Sequence, residues 1–322
     1  MDMNRVTRET FAEAKARVAQ HAHHTPLLTS RLLNEMTGQN VYLKAEMFQR
    51  TGSYKIRGPL YKFGQLTPEQ KRRGVICSSA GNHAQGVALA ARLMGIHAVV
   101  VMAENATRSK VAATRAYGAE VELHGTIWDE ANEKAKQLVS RRGLTYIHPF
   151  DDLELIIGQG TLGLEIVEDL PSVDAVVVPI GGGGLISGVA MAVKLSKPSA
   201  KVFGVESSGA PGMQKSLEVG RVVTLEKVDC VIDGLRVKRV GELTFTIVKE
   251  WVDEIVTLPD ERIFEAVVWL MSYQKLIAEG AAAAPVAAIL TGLIKLPLGS
   301  NIACVLSGGN LDLTQLEGLR WN

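Results

Sequence analysis

Cysteine is nearly missing from this chain. Cys77, Cys230 and Cys304 are the only three in 322 residues, and each lies in or beside an apolar run. That spacing offers no disulfide framework and reads as buried free thiols in a reducing compartment. Aromatic residues make up only 5% of the chain and the formal net charge is only +1. With few stacking platforms and no basic field, no nucleic-acid partner is expected. The N-terminus, Met1 to Arg8, is polar and has no apolar h-region, so no secretory signal is expected. The most apolar stretch, Ala281 to Ile294, is too short to span a bilayer and contains Pro285, so no membrane partner is expected either. These absences together point to a cytoplasmic protein.

What is present is a globular composition, 47% apolar and 21% charged, at a length that suits one large domain or two ordinary ones. Glu9 to Ala19 has a helical pattern, with Phe11, Ala14 and Val18 on one face. His21, His23 and His24 are close enough to suggest a metal site, but no cysteine or carboxylate completes the set, and they read as a polar connector before Thr25-Pro26. Val41 to Ala45 is strand-like. From Gly74 short apolar strands alternate with helical segments: strands at 75–77, 98–102, 121–123 and 145–147, helices at 84–93, 110–117 and 128–139. The alternation resumes after a loop at 149–152, with helices at 161–167, 185–195, 242–252, 261–276 and 281–290. Its strands fall at 175–180, 201–205, 254–257 and 301–306, and 219–233 is irregular. Such βαβ order predicts an α/β fold of two open parallel sheets with a cleft between them, where ligands meet the C-terminal ends of the strands.

Four of those ends carry unusual residues. Lys55, in Thr51-Gly52-Ser53-Tyr54-Lys55-Ile56-Arg57-Gly58, sits where a loop becomes a helix, although a helix N-terminus disfavours cations. After Cys77 comes Ser78-Ser79-Ala80-Gly81-Asn82-His83, small residues leading into a helix whose free N–H groups suit a carboxylate. After Ile180 come Gly181, Gly182, Gly183 and Gly184, then Leu185, a strand–glycine–helix unit that can cradle a phosphate. Glu206, at the end of the next strand, would suit a dinucleotide ribose, but no G-x-G-x-x-G register fits, which favours a phosphate monoester. After Leu306 comes Ser307-Gly308-Gly309-Asn310. An amine, an anion loop, a phosphate cradle and a neutral hydroxyl suit pyridoxal phosphate.

With these motifs, and with His148-Pro149, Gly158-Gln159-Gly160-Thr161 and Glu279-Gly280 in the same order, nearly the whole chain resembles the serine/threonine dehydratase family of fold type II pyridoxal-phosphate enzymes. The resemblance implies a tryptophan synthase β-like architecture, with residues 1–46 and 150–322 as the large cofactor domain and 47–149 as the small domain. It implies that Lys55 is the catalytic lysine and holds the cofactor as a Schiff base. Asn82 would bond the phenolic oxygen, Gly181 to Gly184 and the Leu185 N–H the phosphate, and Ser307 the pyridine nitrogen. A hydroxyl beside that nitrogen leaves it unprotonated, which favours β-elimination over transamination. Ser79, Ala80, Gly81, Asn82 and His83 would grip the substrate carboxylate. The activity implied is conversion of L-threonine or L-serine to 2-oxobutanoate or pyruvate plus ammonia. Alternatives are dehydration of 3-hydroxyaspartate or phenylserine, serine racemisation, a binding protein without turnover, and an oxidoreductase. A homo-oligomer, dimer or tetramer, is also implied.

Some positions depart from the family pattern. Ala80 stands where the similar serine racemases carry a serine that acts on the second face of the ring, so racemisation is expected to be weak or absent. The family's cation site uses acids at the positions of Glu206 and Gly212 and a carbonyl near Ala210. Gly212 supplies no carboxylate, so no metal is expected. Tyr54 replaces the usual phenylalanine, and Pro59, in place of alanine, would remove an N–H facing the Lys55 carbonyl and kink the helix. The chain ends at Asn322, soon after the last motif, as expected of a short catabolic form without a regulatory domain.

Overall fold

The computed structural model describes residue 3 and residues 6–316. Its strands are β1 Leu27–Thr29, β2 Asn40–Ala45, β3 Val75–Ser78, β4 Ala98–Met102, β5 Glu120–Leu123, β6 Thr145–Tyr146, β7 Ala175–Pro179, β8 Lys201–Ser207, β9 Glu254–Leu258 and β10 Asn301–Leu306. They form two sheets, of order β1-β2-β10-β7-β8-β9 and β5-β4-β3-β6. Every pairing between these strands is parallel except that of β1 with β2. Parallel strands buried on both faces carry continuous apolar runs rather than alternation. Val99 to Val101 in β4 and Val176 to Val178 in β7 are accordingly all fully buried. The α/β architecture with two open sheets is the one the βαβ order implies. No helix among the described residues is long and apolar enough to cross a membrane.

The three cysteines are free and buried. The three neighbouring histidines do not converge: His23 Nδ1 lies 3.2 Å from the Phe48 carbonyl, while His24 Nε2 lies 2.9 Å from Asp169 Oδ2.

Several elements differ from the periodic reading. The helix expected from residue 161 runs over Leu153–Asp169, and Asp152 caps it by accepting from the Leu155 N–H. Gly158 and Gly160 hide its first half, because glycine is a poor helix former. Packing requires them: a Cβ on Gly158 would lie 2.7 Å from the Arg57 carbonyl oxygen, and one on Gly160 2.5 Å from that of Gly188. The short helices Arg31–Thr37, Pro68–Arg73 and Gly212–Val219 and the three-residue edge strand β1 carry too little apolar periodicity to be seen. Pro68–Arg73 buries no side chain at all and is held by a capping box between Thr67 and Gln70. The helix expected over 261–276 is α-helical only over Asp260–Trp269. A π turn, Leu270–Gln274, follows, and Lys275 has φ 58°. Pro59 lies in the first turn of the helix Arg57–Gln65, where no intrahelical N–H partner exists to be lost.

Candidate active site at the strand ends

The 3₁₀ turn Tyr54–Ile56 carries Lys55 and runs directly into the helix Arg57–Gln65. The turn is held from two sides. On one, the Tyr54 N–H donates to the Ser307 carbonyl (3.0 Å), and Ser53 pairs with Gly308. On the other, the helix Asn82–Leu93 packs so closely that a Cβ on Gly86 would lie 2.5 Å from the Lys55 carbonyl oxygen. Two residues beyond Lys55, the fully buried Arg57 anchors the helix. Its guanidinium donates to both carboxylate oxygens of Glu46 (2.8 and 2.8 Å) and of Glu165 (2.7 and 3.0 Å). Lys44, also fully buried, adds a second ion pair to Glu165 at 2.8 Å. Burial pushes the Glu165 carboxyl up, but the charges and hydrogen bonds of Arg57 and Lys44 outweigh it and hold the group below the usual carboxylate range.

The half-buried Lys55 amine donates to the Pro149 carbonyl (2.9 Å) and lies 5.2 Å from the centre of the Tyr54 ring. Burial lowers its pKa to about 8, against the opposing pull of Glu279. An amine at that value is largely neutral in mildly alkaline water, the form a nucleophile or proton acceptor requires.

Beyond β3, the Gly81 N–H donates to Ser79 Oγ (3.2 Å). The helix that follows makes its first backbone bond from Gln85 N to the Gly81 carbonyl, which leaves the Asn82, His83 and Ala84 N–H groups ahead of it. His83 is buried and its Nε2 lies 3.1 Å from the Ile147 carbonyl. Burial, with the Lys55 and His148 charges, lowers its pKa to about 3, so the ring is neutral and faces away from solvent. The His83 backbone N–H is one of the three left ahead of the first helical bond.

Beyond β7, Gly183 (φ 93°) begins the helix Gly184–Ser196 with no side-chain cap. Side chains are excluded from this loop by its neighbours. A Cβ on Gly181 would lie 2.3 Å from the Gly234 carbonyl oxygen, and one on Gly182 2.2 Å from the Phe150 ring. Thr244 Oγ1 donates to the Gly182 carbonyl (2.8 Å), and Asp151 Oδ1 accepts from the Leu243 and Thr244 N–H groups (3.0 and 3.1 Å). The loop therefore presents bare backbone N–H groups at a helix N-terminus, a site for a phosphate.

Ser307, buried at the end of β10, and the residues after it close the site. Asn310 Nδ2 donates to the Thr51 carbonyl (2.8 Å) and to Asn82 Oδ1 (2.7 Å), joining three of the four motifs. Asn82 Nδ2 in turn donates to both oxygens of Glu279 (2.8 and 3.0 Å). Glu279 had no role in the sequence reading, and neither did Phe150 or Thr244. Glu279 was matched only as part of the pair Glu279-Gly280, and its position as the N-cap of the helix Gly280–Leu290 is a further local sign of it.

Glu206 is a helix cap. Its two oxygens accept from the Met213 and Gln214 N–H groups (2.8 and 2.9 Å), and burial raises its pKa to about 7. No group of three or more His, Cys, Asp or Glu side chains stands ready to hold a metal among the described residues.

A model of the pyridoxal-phosphate dependent enzyme family matches residues 18–308, and the chain belongs to that family. It is 47% identical to the L-threonine ammonia-lyase of Thermotoga maritima over 97% of this chain and 77% of that protein. It is 45% identical to a catabolic L-threonine dehydratase of Staphylococcus aureus, over 99% of this chain and 95% of that one. Among solved structures, maize serine racemase superposes with a TM-score of 0.92 at 36% identity, over 97% of this chain and 95% of that one. The fold is that of the fold type II enzymes. The cofactor is pyridoxal phosphate, and the site fits it: a bare phosphate cradle that any Cβ would fill, and a half-buried amine of lowered pKa.

Proposed function

We propose that this enzyme is an ammonia-lyase that converts L-threonine, and L-serine, to 2-oxobutanoate or pyruvate and ammonia. The observation that carries the reading is the gathering of Lys55, Asn82, the glycine loop and Ser307 at neighbouring strand ends: Asn310 joins the first, second and fourth of these motifs, and the glycine loop packs on Phe150, next to the Pro149 carbonyl that accepts from Lys55. The threonine-acting relatives support the choice of substrate. The Gly181–Leu185 backbone would hold the phosphate, Asn82 the phenolic oxygen and Ser307 the pyridine nitrogen. The bound cofactor supplies the electron sink that makes an amino acid's Cα proton removable. The Ser79–His83 loop binds and orients the substrate carboxylate with the free N–H groups of its helix. The Lys55 amine takes the Cα proton. The β-hydroxyl takes up one proton, which the Lys55 ammonium can return, and leaves as water. The enamine released tautomerises to an imine, which water hydrolyses to the 2-oxo acid and ammonia.

The division into a small domain, 47–149, and a large one, 1–46 with 150–322, belongs to the same proposal. Confinement of the four-stranded sheet to residues 75–146 supports it. A homo-oligomeric state, supported by the half-exposed Phe48, Tyr273 and Ile277, and a cytoplasmic location belong to the same proposal. The test is a panel of L-threonine, L-serine, 3-hydroxyaspartate and phenylserine, scored for 2-oxo acid and ammonia. Threonine is expected to lead. Faster turnover of either bulkier or acidic substrate overturns the assignment. Lys55→Ala is expected to lack the visible band that borohydride abolishes in the wild type.

A further inference from the structure

Glu279 is a buried acid that the reaction outlined above does not use. Its N–H donates to the Gly308 carbonyl (3.1 Å), and its carboxylate accepts from Asn82 Nδ2. Because Asn310 donates to Asn82 Oδ1, the amide orientation is fixed: a flip would set Oδ1 against a carboxylate and Nδ2 against another donor. The backbone is bare around these groups. A Cβ on Gly308 would lie 2.8 Å from Glu279 Oε1, and one on Gly52 2.5 Å from Asn310 Oδ1. The charged groups facing Glu279 are Lys55, Lys110 from the helix Arg108–Ala116, and Asp233, which pairs with Lys110 at 2.9 Å. Tyr54 faces it too. Burial pushes the Glu279 carboxyl up, and the Asn82 hydrogen bond and the two lysines only partly offset this.

We propose that Glu279 stands in the cofactor-loaded site as a neutral carboxylic acid, and that with Asn310 it orients the Asn82 amide for the cofactor's phenolic oxygen. The inference rests on the reading of Asn82 given above. One amide nitrogen then serves two oxygens. If Glu279 were ionised, both would be anionic in a buried place, and each would disfavour the other's charge. A single proton taken from solvent by Glu279 as the cofactor binds removes that conflict, and no electrons move. Binding is then linked to proton uptake, so affinity weakens as pH rises, by up to about tenfold per pH unit above the free-state pKa of Glu279.

The test is titration of the apoenzyme with pyridoxal phosphate between pH 7 and 9. Affinity is read from the visible band, and proton uptake from calorimetry in buffers of different ionisation enthalpy. The wild type is expected to take up more proton than Glu279→Gln, by a difference that rises towards one as pH passes the free-state pKa of Glu279, and the variant to lack that part of the pH dependence. Equal uptake in the two proteins overturns the proposal. So does a loss of affinity in Glu279→Gln of more than tenfold at pH 7, which would show that the negative charge is needed. If Glu279→Gln does not fold, Lys55→Ala, in which no Schiff base forms, reports the same proton, and its absence there refutes the idea. Asn82→Ala separates the underlying reading. Unchanged affinity sinks the role of Asn82 itself, whereas reduced affinity with equal proton uptake in wild type and Glu279→Gln sinks only that of Glu279.

Discussion

Replacing Arg57 by methionine keeps most of its volume and removes its charge. In the native protein one guanidinium serves Glu46 and Glu165, both nearly inaccessible to water, and Lys44 pairs with Glu165 as well as with Asp169. Arg57→Met therefore leaves two buried carboxylates facing one buried lysine. Breaking a buried pair from one side costs about 3–5 kcal/mol, because the orphaned charge stays desolvated. Unfolding entropy scales at about 2.1 cal/mol/K per residue, which for this chain converts the loss into a drop of about 4–7 °C in Tm. The pH dependence carries a sign. In the wild type the lowered pKa of Glu165 contributes stability that is present above its unfolded value and lost as pH falls through the folded one. Without Arg57 that contribution shrinks and the burial penalty on the ionised form remains. The gap between variant and wild type must then widen from pH 5 to pH 8. Thermal unfolding of both holoenzymes across that range is the assay. A Tm within 1 °C of wild type, or a gap that narrows as pH rises, refutes the account of Arg57 as the anchor of the Lys55 helix.

Gly181→Ala places a methyl against the Gly234 backbone oxygen, which no side-chain rotation relieves, and is expected to weaken cofactor binding at least about tenfold in an absorbance titration. In the apoenzyme, site-resolved labelling with an amine-reactive reagent should show Lys55 becoming reactive with a midpoint near pH 8, since its lowered pKa makes it neutral above that value. A midpoint near that of exposed lysines counts against it. Chiral analysis of L-serine reactions should show no D-serine forming at rates near that of elimination, because Ala80 has no proton to exchange. Activity should survive EDTA, because both Glu206 oxygens are occupied by backbone N–H groups and Gly212 offers no carboxylate. Loss restored by magnesium would refute that.

The fold was legible where burial writes itself into composition. β4 and β7 are uninterrupted valine-rich runs because both of their faces are covered, and their neighbours recur at βαβ spacing. It was illegible where tertiary contact overrides propensity. The first half of the helix Leu153–Asp169 needs glycine to let the Arg57 helix and the helix Gly184–Ser196 approach, and those glycines erase the helical signal. The four motifs of the site could be read because each follows a strand. Glu279 was matched with Gly280 but given no role, because its meaning depends on Asn82, which is 197 positions away and held by a second long-range partner, Asn310.

That dependence bears on the lysine as well. A carboxylate in direct contact with Lys55 would favour the ammonium and cancel the effect of burial. Instead the amine's hydrogen-bond partner is a neutral carbonyl, that of Pro149, while the Glu279 carboxylate is bonded to Asn82 and reaches Lys55 only through its field. The helix beginning at Arg57 acts in the same direction, since its N-terminal end disfavours a nearby cation. Arg57 does not add to this field in full, because its charge is neutralised by Glu46 and Glu165. A lysine at a helix start, costly for a surface residue, thereby becomes an amine that can lose its proton near neutrality. The motif must place it there, and the hydrogen bonds of Asn82 keep the one nearby acid from reversing it.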